Sequence, residues 1–435
     1  MAGQLQSMDG TAMESEEWKV MQQLKKLAVL YLACLVAGTL ALTAVYCLPV
    51  KPMQEHVRAS VDAFLEEGDN PFVLPEYKGS SLDNTTDAIM LGNAVYQSEL
   101  PAYQAAMKAE RAELDDEHTQ LALKEYLNQG QGLKLTSYER YWHGYLVVLK
   151  PLLLVFNYGQ IRILNGIVMA ILVLLILRQL WKRDLRRGML AFLLSVAGLF
   201  PMALPYSLQF STSFYVGIGI SLFLLCRYEK IKEKEQYIEM FFLAGALTSY
   251  VDFLTYPIYA LGIPLVLCIV LDNENIGNEL KRIVACACSW GLGYLLMWAG
   301  KWLIGSALLK ENIFADALQT VMGRASGEVG AEQISRIMAV LRNFYIYFNL
   351  YGVLLAGILI LWVGIWCIRN RAVMKIDQAL LLLLVAAGPI CWYLVTANHA
   401  YIHYWFTFRN LSVSIFAFAM ITETGKTHRK GEVDS

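Results

Sequence analysis

The chain has 435 residues, 57% of them hydrophobic and 17% charged, with a mean hydropathy of +0.43 and a formal net charge of −1. Soluble globular proteins hold roughly 45–50% apolar and about 25% charged residues, and here the apolar residues come in runs long enough to cross a bilayer. Composition therefore excludes a soluble enzyme and a disordered scaffold, and 36 basic against 37 acidic residues leave no cationic field for nucleic acid.

Ten apolar segments follow in order: Leu27–Leu48, Ile161–Trp181, Met189–Leu208, Phe214–Cys226, Ile238–Leu254, Tyr256–Leu271, Ile283–Leu308, Tyr351–Ile368, Ala379–Thr396 and Trp405–Ile421. The fourth is short for a span, and the fifth and sixth are nearly continuous. The pattern predicts an all-α polytopic membrane protein of about 10 transmembrane helices, within a range of 9–12. The first run is too long for the apolar core of a signal peptide and no small-x-small motif ends it, so it reads as a retained span. All eight cysteines lie in or beside apolar segments. The long polar stretch after the first span has none, so it must hold together by packing rather than disulfides.

Lys and Arg set the orientation. With the N-terminus inside, the cytoplasmic side receives Lys25 and Lys26, then Lys182 to Arg187, Arg227 to Lys234, Lys281 and Arg282, Arg369 to Lys375, and the tail with Lys426, Arg429 and Lys430. The predicted organisation is a cytoplasmic segment at 1–26, a first span at 27–49, an extracytoplasmic loop domain at 50–160, a multi-helix membrane domain at 161–422 and a cytoplasmic tail at 423–435. Between Val50 and Arg140 the loop carries 16 acidic and 8 basic residues. Helical patterns run over Met53–Leu65, Ala88–Tyr103 and Glu117–Leu127. Tyr145–Phe156, interrupted by Lys150 and Pro151, suits an interfacial helix. No repeat of 20–50 residues occurs, which speaks against a solenoid or a duplicated transporter.

Ionisable residues at the ends of membrane helices are functional candidates by default. Four places qualify. Asn84-Thr85-Thr86-Asp87 opens a helix in the loop, where the same residues also suit a cap; Asp87, or Asp83, is a candidate general base. In Tyr138–Tyr145, His143 sits among aromatic residues, and beyond it Arg162 stands at the outer end of the second span, able to fork a phosphate or to snorkel. In Thr248–Pro257, Asp252 is an acid in an apolar stretch with no cationic neighbour in sequence, beside Tyr250. In Thr396–Arg409, His399 and His403 share a helix face near Asn398 and Arg409, framed by aromatic rings. That spacing suits a metal, but no third ligand accompanies it, so no metal or other cofactor is expected. Phosphate-cradling loops, dinucleotide fingerprints, nucleophile elbows and CxxC pairs are absent from the sequence. The sequons at Asn84 and Asn410 would matter only in a glycosylating compartment.

One span, a long acidic external loop with amphipathic helices, then many further spans: in this architecture the chain resembles the GT-C class of polytopic membrane glycosyltransferases. Tyr141–Tyr145, Val251–Pro257 and Asn398–Arg409 look like stretches in bacterial membrane proteins of that type. The resemblance implies an inverting transferase of the bacterial plasma membrane, with both termini cytoplasmic and the active site extracytoplasmic. It implies a sugar donor carried on a polyprenyl (pyro)phosphate, a glycan, lipid or protein acceptor in the cell envelope, and an acidic residue of the first external loop as base. Carried over, the base falls on Asp87 or Asp252, and donor phosphate or substrate contacts on His143, Arg162, Tyr250, Asn398, His399, His403 and Arg409. Membrane lipids are the expected surroundings and nucleic acid is not a partner. The alternative is a secondary transporter or flippase of lipid-linked substrates.

Overall fold

The computed structural model describes residues 2–115, 118–272, 274–330 and 332–424. The first helix, α1 (Ala2–Tyr46), runs without a break through the expected cytoplasmic segment into the first span. Pro49, with φ −65°, then redirects the chain. Residues 50–157 fold into a helical cap built on α2 (Val50–Glu66), α3 (Asn84–Val95), α4 (Ala102–Lys108), α5 (Thr119–Leu127) and α6 (Leu146–Leu153). Met53, Val57, Val61 and Phe64 recur at helical spacing and form the buried stripe of α2. A short antiparallel ribbon joins β1 (Arg111–Glu113) to β2 (Lys134–Thr136), with Ala112 opposite Leu135. The predicted helix at 117–127 is α5; Glu117 itself lies outside the described residues.

The remaining helices are α7 (Tyr158–Lys182), α8 (Arg186–Gly198), α9 (Leu208–Glu233), α10 (Tyr237–Val251), α11 (Ile258–Asp272), α12 (Ile276–Leu309), α13 (Ile313–Ala325), α14 (Arg336–Tyr345), α15 (Leu350–Asn370), α16 (Ile376–Ala386), α17 (Gly388–Val395), α18 (Ala397–Ile402), α19 (Tyr404–Thr407) and α20 (Leu411–Met420). The chain is a helical membrane protein. Among the described residues, seven helices are long and apolar enough to cross a bilayer: Glu17–Tyr46, Tyr158–Lys182, Leu208–Glu233, Ile276–Leu309, Leu350–Asn370, Ile376–Val395 and Tyr404–Glu423. Outward Val29, Leu32 and Val36 on α1, and Ile163, Ile167 and Ile171 on α7, are at least half exposed. An apolar surface of that extent suits lipid rather than water.

Each of the ten apolar segments forms helix, but three stay short of span length. Helix α8 has 13 residues, and α10 and α11 have 15 each. Fifteen residues rise about 22 Å, against a hydrocarbon core about 30 Å thick. The segment predicted to run to Leu208 stops at Gly198, because Phe200 takes a left-handed backbone (φ 57°) and prolines follow at 201 and 205. The segment expected to be short gains a polar first turn, Gln209 to Ser213, and reaches 26 residues as α9. Hydropathy misses that turn because protein rather than lipid surrounds it.

The short helices are held by neighbours. Helices α10 and α12 cross at glycines: a Cβ on Gly245 would lie 1.9 Å from Trp290 O, and one on Gly293 2.1 Å from Phe242 O. At the end opposite the cap, the buried Asp272 carboxylate accepts from Tyr228 and Tyr237 hydroxyls at 2.7 and 2.8 Å. It also pairs with Lys232 at 3.2 Å and Arg282 at 3.1 Å, and Arg282 pairs with Glu279 at 2.7 Å. This network joins the ends of α9, α10, α11 and α12. The expected cytoplasmic tail beyond Thr424 lies outside the described residues.

Candidate functional site

Asp83, not Asp87, is the N-cap of α3: its carboxylate accepts from Thr86 N–H at 3.0 Å and Thr86 Oγ1 at 2.9 Å. Burial pushes its pKa up to about 7. Asp87, one turn on, is fully buried and caps a different helix. Leu208 and Gln209 donate their N–H groups to it at 2.8 and 3.2 Å, and Tyr158 donates its hydroxyl at 2.5 Å. A carboxylate at free N–H groups of a helix start satisfies orphan donors and meets the positive end of the dipole. Burial still raises the Asp87 pKa, with Arg162 and these donors opposing it.

The two arginines are committed within the protein. Arg162 Nη1 donates to both carboxylate oxygens of Glu67 at 2.7 and 2.8 Å, Nη2 donates to Asn84 Oδ1 at 2.9 Å, and the guanidinium lies 4.2 Å from the Tyr158 ring centre. Fully buried Arg409 donates to the carbonyls of Leu199, Trp405 and Gly79 at 3.1, 3.4 and 3.3 Å, with its guanidinium 3.9 Å from the centre of Phe210. It ties the last span to the cap. Tyr250 donates to Gly38 O at 2.8 Å, and its own carbonyl accepts from Gly144 N–H at 2.8 Å.

His143 is buried with a left-handed backbone (φ 56°). Its Nε2–H donates to Tyr138 O at 2.7 Å, which leaves Nδ1 to accept from the Tyr145 hydroxyl at 3.2 Å. Tyr138, Tyr141, Tyr145 and Phe253 surround the ring. Burial lowers its pKa to about 3, so it is neutral at pH 7.

Asp252 terminates α10 and is 2% exposed. It accepts from Ser213 Oγ at 2.8 Å and from Thr255 N–H at 3.0 Å, with Thr212 Oγ1 at 3.5 Å. Burial raises its pKa, opposed by Thr255 and Ser213. Two residues on, Leu254 has φ 66° and its carbonyl accepts from His399 Nε2–H at 2.9 Å. The other His399 nitrogen, Nδ1, accepts from Arg324 at 2.5 Å. His403 stacks on Phe406, and the two imidazoles are 4.7 Å apart. With both nitrogens of His399 taken, the pair does not chelate a metal in this arrangement. Among the described residues, no group of three or more His, Cys, Asp or Glu side chains gathers to hold one. Burial, then Arg324, lowers both pKa values, that of His403 to about 4, so neither histidine carries charge at pH 7. Asn398 supports the corner through Ser326 O and Glu328 O.

Beside Asp252 opens a groove of about 780 Å³ between α7, α9 and α10, with α6 over its head. Val168, Val216, Ile220, Phe223, Leu243 and Leu247 make its wall apolar, and Tyr145, Asn165, Ser211 and Thr212 line its head, their polar groups hydrogen-bonded within the protein. Thr212 belongs both to the groove and to the Asp252 cluster.

The structure thus brings Asp252, His399 and His403 into one neighbourhood, places His143 and Tyr250 along its cap side, and sets Asp87, Arg162 and Arg409 apart in bonds that join the cap to the spans. Sequence analysis missed Arg324, whose position outside the spans made it look ordinary, and the ladder Trp290, Tyr294, Trp298 and Trp302, whose four-residue spacing was readable. It also missed Lys301, buried inside the seventh apolar segment with its ammonium on Met107 O at 2.7 Å. No family model, curated protein or solved structure matches the chain.

Proposed function

We propose that the protein is a membrane glycosyltransferase of GT-C type, moving a sugar from a polyprenyl-(pyro)phosphate donor to a cell-envelope acceptor with inversion. The single observation that carries this reading is the apolar groove whose polar head adjoins the buried Asp252 carboxylate. The groove holds the polyprenyl chain, so the phosphate-linked sugar stands at the head beside Thr212 and Tyr145. Asp252 takes the proton of the acceptor hydroxyl as its oxygen bonds to the anomeric carbon. The bond from that carbon to the phosphate oxygen breaks, and its electron pair leaves with the lipid phosphate. A desolvated carboxylate of raised pKa suits this proton transfer. The positive-inside bias supports a plasma-membrane orientation with both termini in the cytoplasm and the cap outside. By this reading Asp252 rather than Asp87 is the base.

The test is purified protein in proteoliposomes with a radiolabelled polyprenyl-phosphate sugar and cell-envelope extract as acceptor. Wild type consumes the donor, and Asp252→Asn binds it without consuming it. Failure of wild type to bind or consume it ends the proposal. Movement of the intact donor across the bilayer, with no glycosidic bond broken, is the flippase outcome.

A further inference from the structure

Helix α14 is built inside out. Its packed side is Ala339, Asn343 and, just past its end, Ile346, all buried. Asn343 Nδ2 donates to Ala400 O at 2.9 Å, and its Oδ1 accepts from the Thr407 hydroxyl at 2.7 Å. The opposite side carries Ile337, Met338, Leu341, Phe344, Tyr345 and Phe348, between 36 and 75% exposed. At 3.6 residues per turn the first five fall within one stripe about 120° wide, and Phe348 follows in the turn to α15. A helix at a water-facing surface turns such a stripe inward, so water is the wrong neighbour for this one.

Chain connectivity says what covers it. Four residues separate Tyr345, the end of α14, from Leu350, the start of the α15 span. They form a tight turn, with Tyr347 N–H on Phe344 O at 3.0 Å and Phe348 N–H on Tyr345 O at 2.9 Å. Helix α14 therefore ends at the bilayer surface. Ile346 packs with Tyr77 of the cap, which sets the helix on the cap side. Its exposed stripe leads into Leu350, Val353 and Leu354, each more than half exposed on the lipid-facing side of α15. From Phe344 an apolar groove of about 330 Å³ runs along α15 past Leu355 to Leu359, with Ile415 and Phe418 of α20 as its other wall. The two hydroxyls on that wall, of Tyr347 and Ser414, donate to Gly198 O and Ala386 O, so the groove suits an acyl chain rather than a polar group. Helix α14 also brings Arg336 and Arg342 and no acidic residue, the charge that suits phosphate headgroups.

We infer that α14 lies along the bilayer surface on the cap side, its apolar stripe among phospholipid acyl chains, and that one chain enters the groove between α15 and α20. The partner is bilayer phospholipid, and the inference stands whether or not the chain transfers a sugar. The helix is then an in-plane support for α18, the turn that carries His399. Its packed side holds α18 through Asn343 and through Arg342, which donates to Tyr401 O at 3.2 Å.

Single nitroxide labels test this in the full chain, in a background free of other cysteines, reconstituted into phosphatidylcholine–phosphatidylglycerol vesicles. Each label is read by collision with oxygen, which concentrates in lipid, and with a nickel chelate, which stays in water. Labels at Leu341, Phe348 and Ala356 should favour oxygen severalfold, as one at Ile358 on the lipid face of α15 does, and a label at Gln333 should favour nickel. Labels at Ile337 and Tyr345 should lie at similar depth, whereas a helix crossing the bilayer would separate them by about 12 Å. All these positions are exposed, and an unchanged melting temperature shows that each labelled protein keeps its fold. Preference for nickel at Leu341 and Phe348 overturns the inference, and so does a depth difference of the crossing size. Exclusion of both reagents from the stripe, the mark of a second copy or another protein over it, overturns it too. A label at Ala356 shielded from oxygen removes the acyl chain from the groove.

Discussion

Asp87 and Asp252 are fastened to the same helix end. Asp87 accepts the N–H groups of Leu208 and Gln209 at the start of α9, and Asp252 accepts the hydroxyl of Ser213 one turn further along. The two carboxylates have different duties there. Asp87 closes backbone donors and a tyrosine hydroxyl, so removing it strips a helix of its cap. Asp252 accepts from one backbone N–H, that of Thr255, and from the side-chain hydroxyl of Ser213, and in the transferase reading it is the base.

Replacing Asp87 therefore damages the fold. Asp87→Ala leaves two buried N–H groups and the Tyr158 hydroxyl unmet, and each orphan costs about 1–3 kcal/mol. Thermal unfolding in detergent should show a large drop for Asp87→Ala, and a loss of about 1 kcal/mol for Tyr158→Phe. A normally stable Asp87→Ala protein that fails only in transfer would make Asp87 the base instead.

Asp252→Asn gives the opposite signature. The amide oxygen, in the place of Oδ2, still accepts from Thr255 N–H, and the amide NH2, in the place of Oδ1, donates to Ser213 Oγ once that hydroxyl turns, so the melting temperature stays close to wild type. Transfer falls by roughly 10²–10⁴, the usual worth of a positioned general base. Donor affinity, read by equilibrium binding, is unchanged. Near-wild-type turnover would reduce Asp252 to a turn residue.

Hydropathy made the spans legible because lipid-facing residues are apolar whatever their partners. It could not reveal what answers an isolated polar residue. Asp252 stood out as an acid in an apolar stretch, yet its partner Ser213 lies 39 residues earlier. Arg162 and Arg409 looked like phosphate ligands, since a sequence does not display Glu67 or the carbonyl of Gly79. Arg324 was invisible for the converse reason: an arginine outside a span is unremarkable until its partner proves to be a buried, neutral histidine 75 residues on.

The buried histidines predict acid sensitivity. His143 and His403 have pKa values lowered by burial to about 3 and about 4, below an unfolded value of about 6.5. Between these values the unfolded chain binds more protons, so stability is full above pH 6.5 and is lost as pH falls toward 4. The slope is about 1.4 kcal/mol per pH unit for each such histidine. Melting curves from pH 7.5 to 4.5 should show the decline, with a shallower slope in His143→Gln. An unchanged slope would mean that other groups set the acid limit.

Orientation has its own check. A cysteine introduced at exposed Glu99, in a background free of other cysteines, should react with an impermeant maleimide in intact cells. Reaction only after lysis would place the cap in the cytoplasm and reverse the topology.

The groove makes the last prediction. If a polyprenyl chain lies between α7, α9 and α10, filling that space competes with the donor and leaves the chemistry alone. Leu247 on α10 and Val216 on α9 both line the groove, and an indole at either position occupies volume the chain would use. Overpacking of this kind costs about 1–3 kcal/mol, so Leu247→Trp and Val216→Trp should each raise the donor KM roughly tenfold or more. Their kcat should stay near wild type, because the Asp252 cluster is untouched. Ile358 on α15 is 53% exposed and lies outside the groove, so Ile358→Trp serves as the control and should change neither constant. Equal KM values for all three variants and wild type would mean that the chain lies elsewhere. A loss of kcat with KM unchanged would mean that the groove wall positions the reacting groups rather than the lipid.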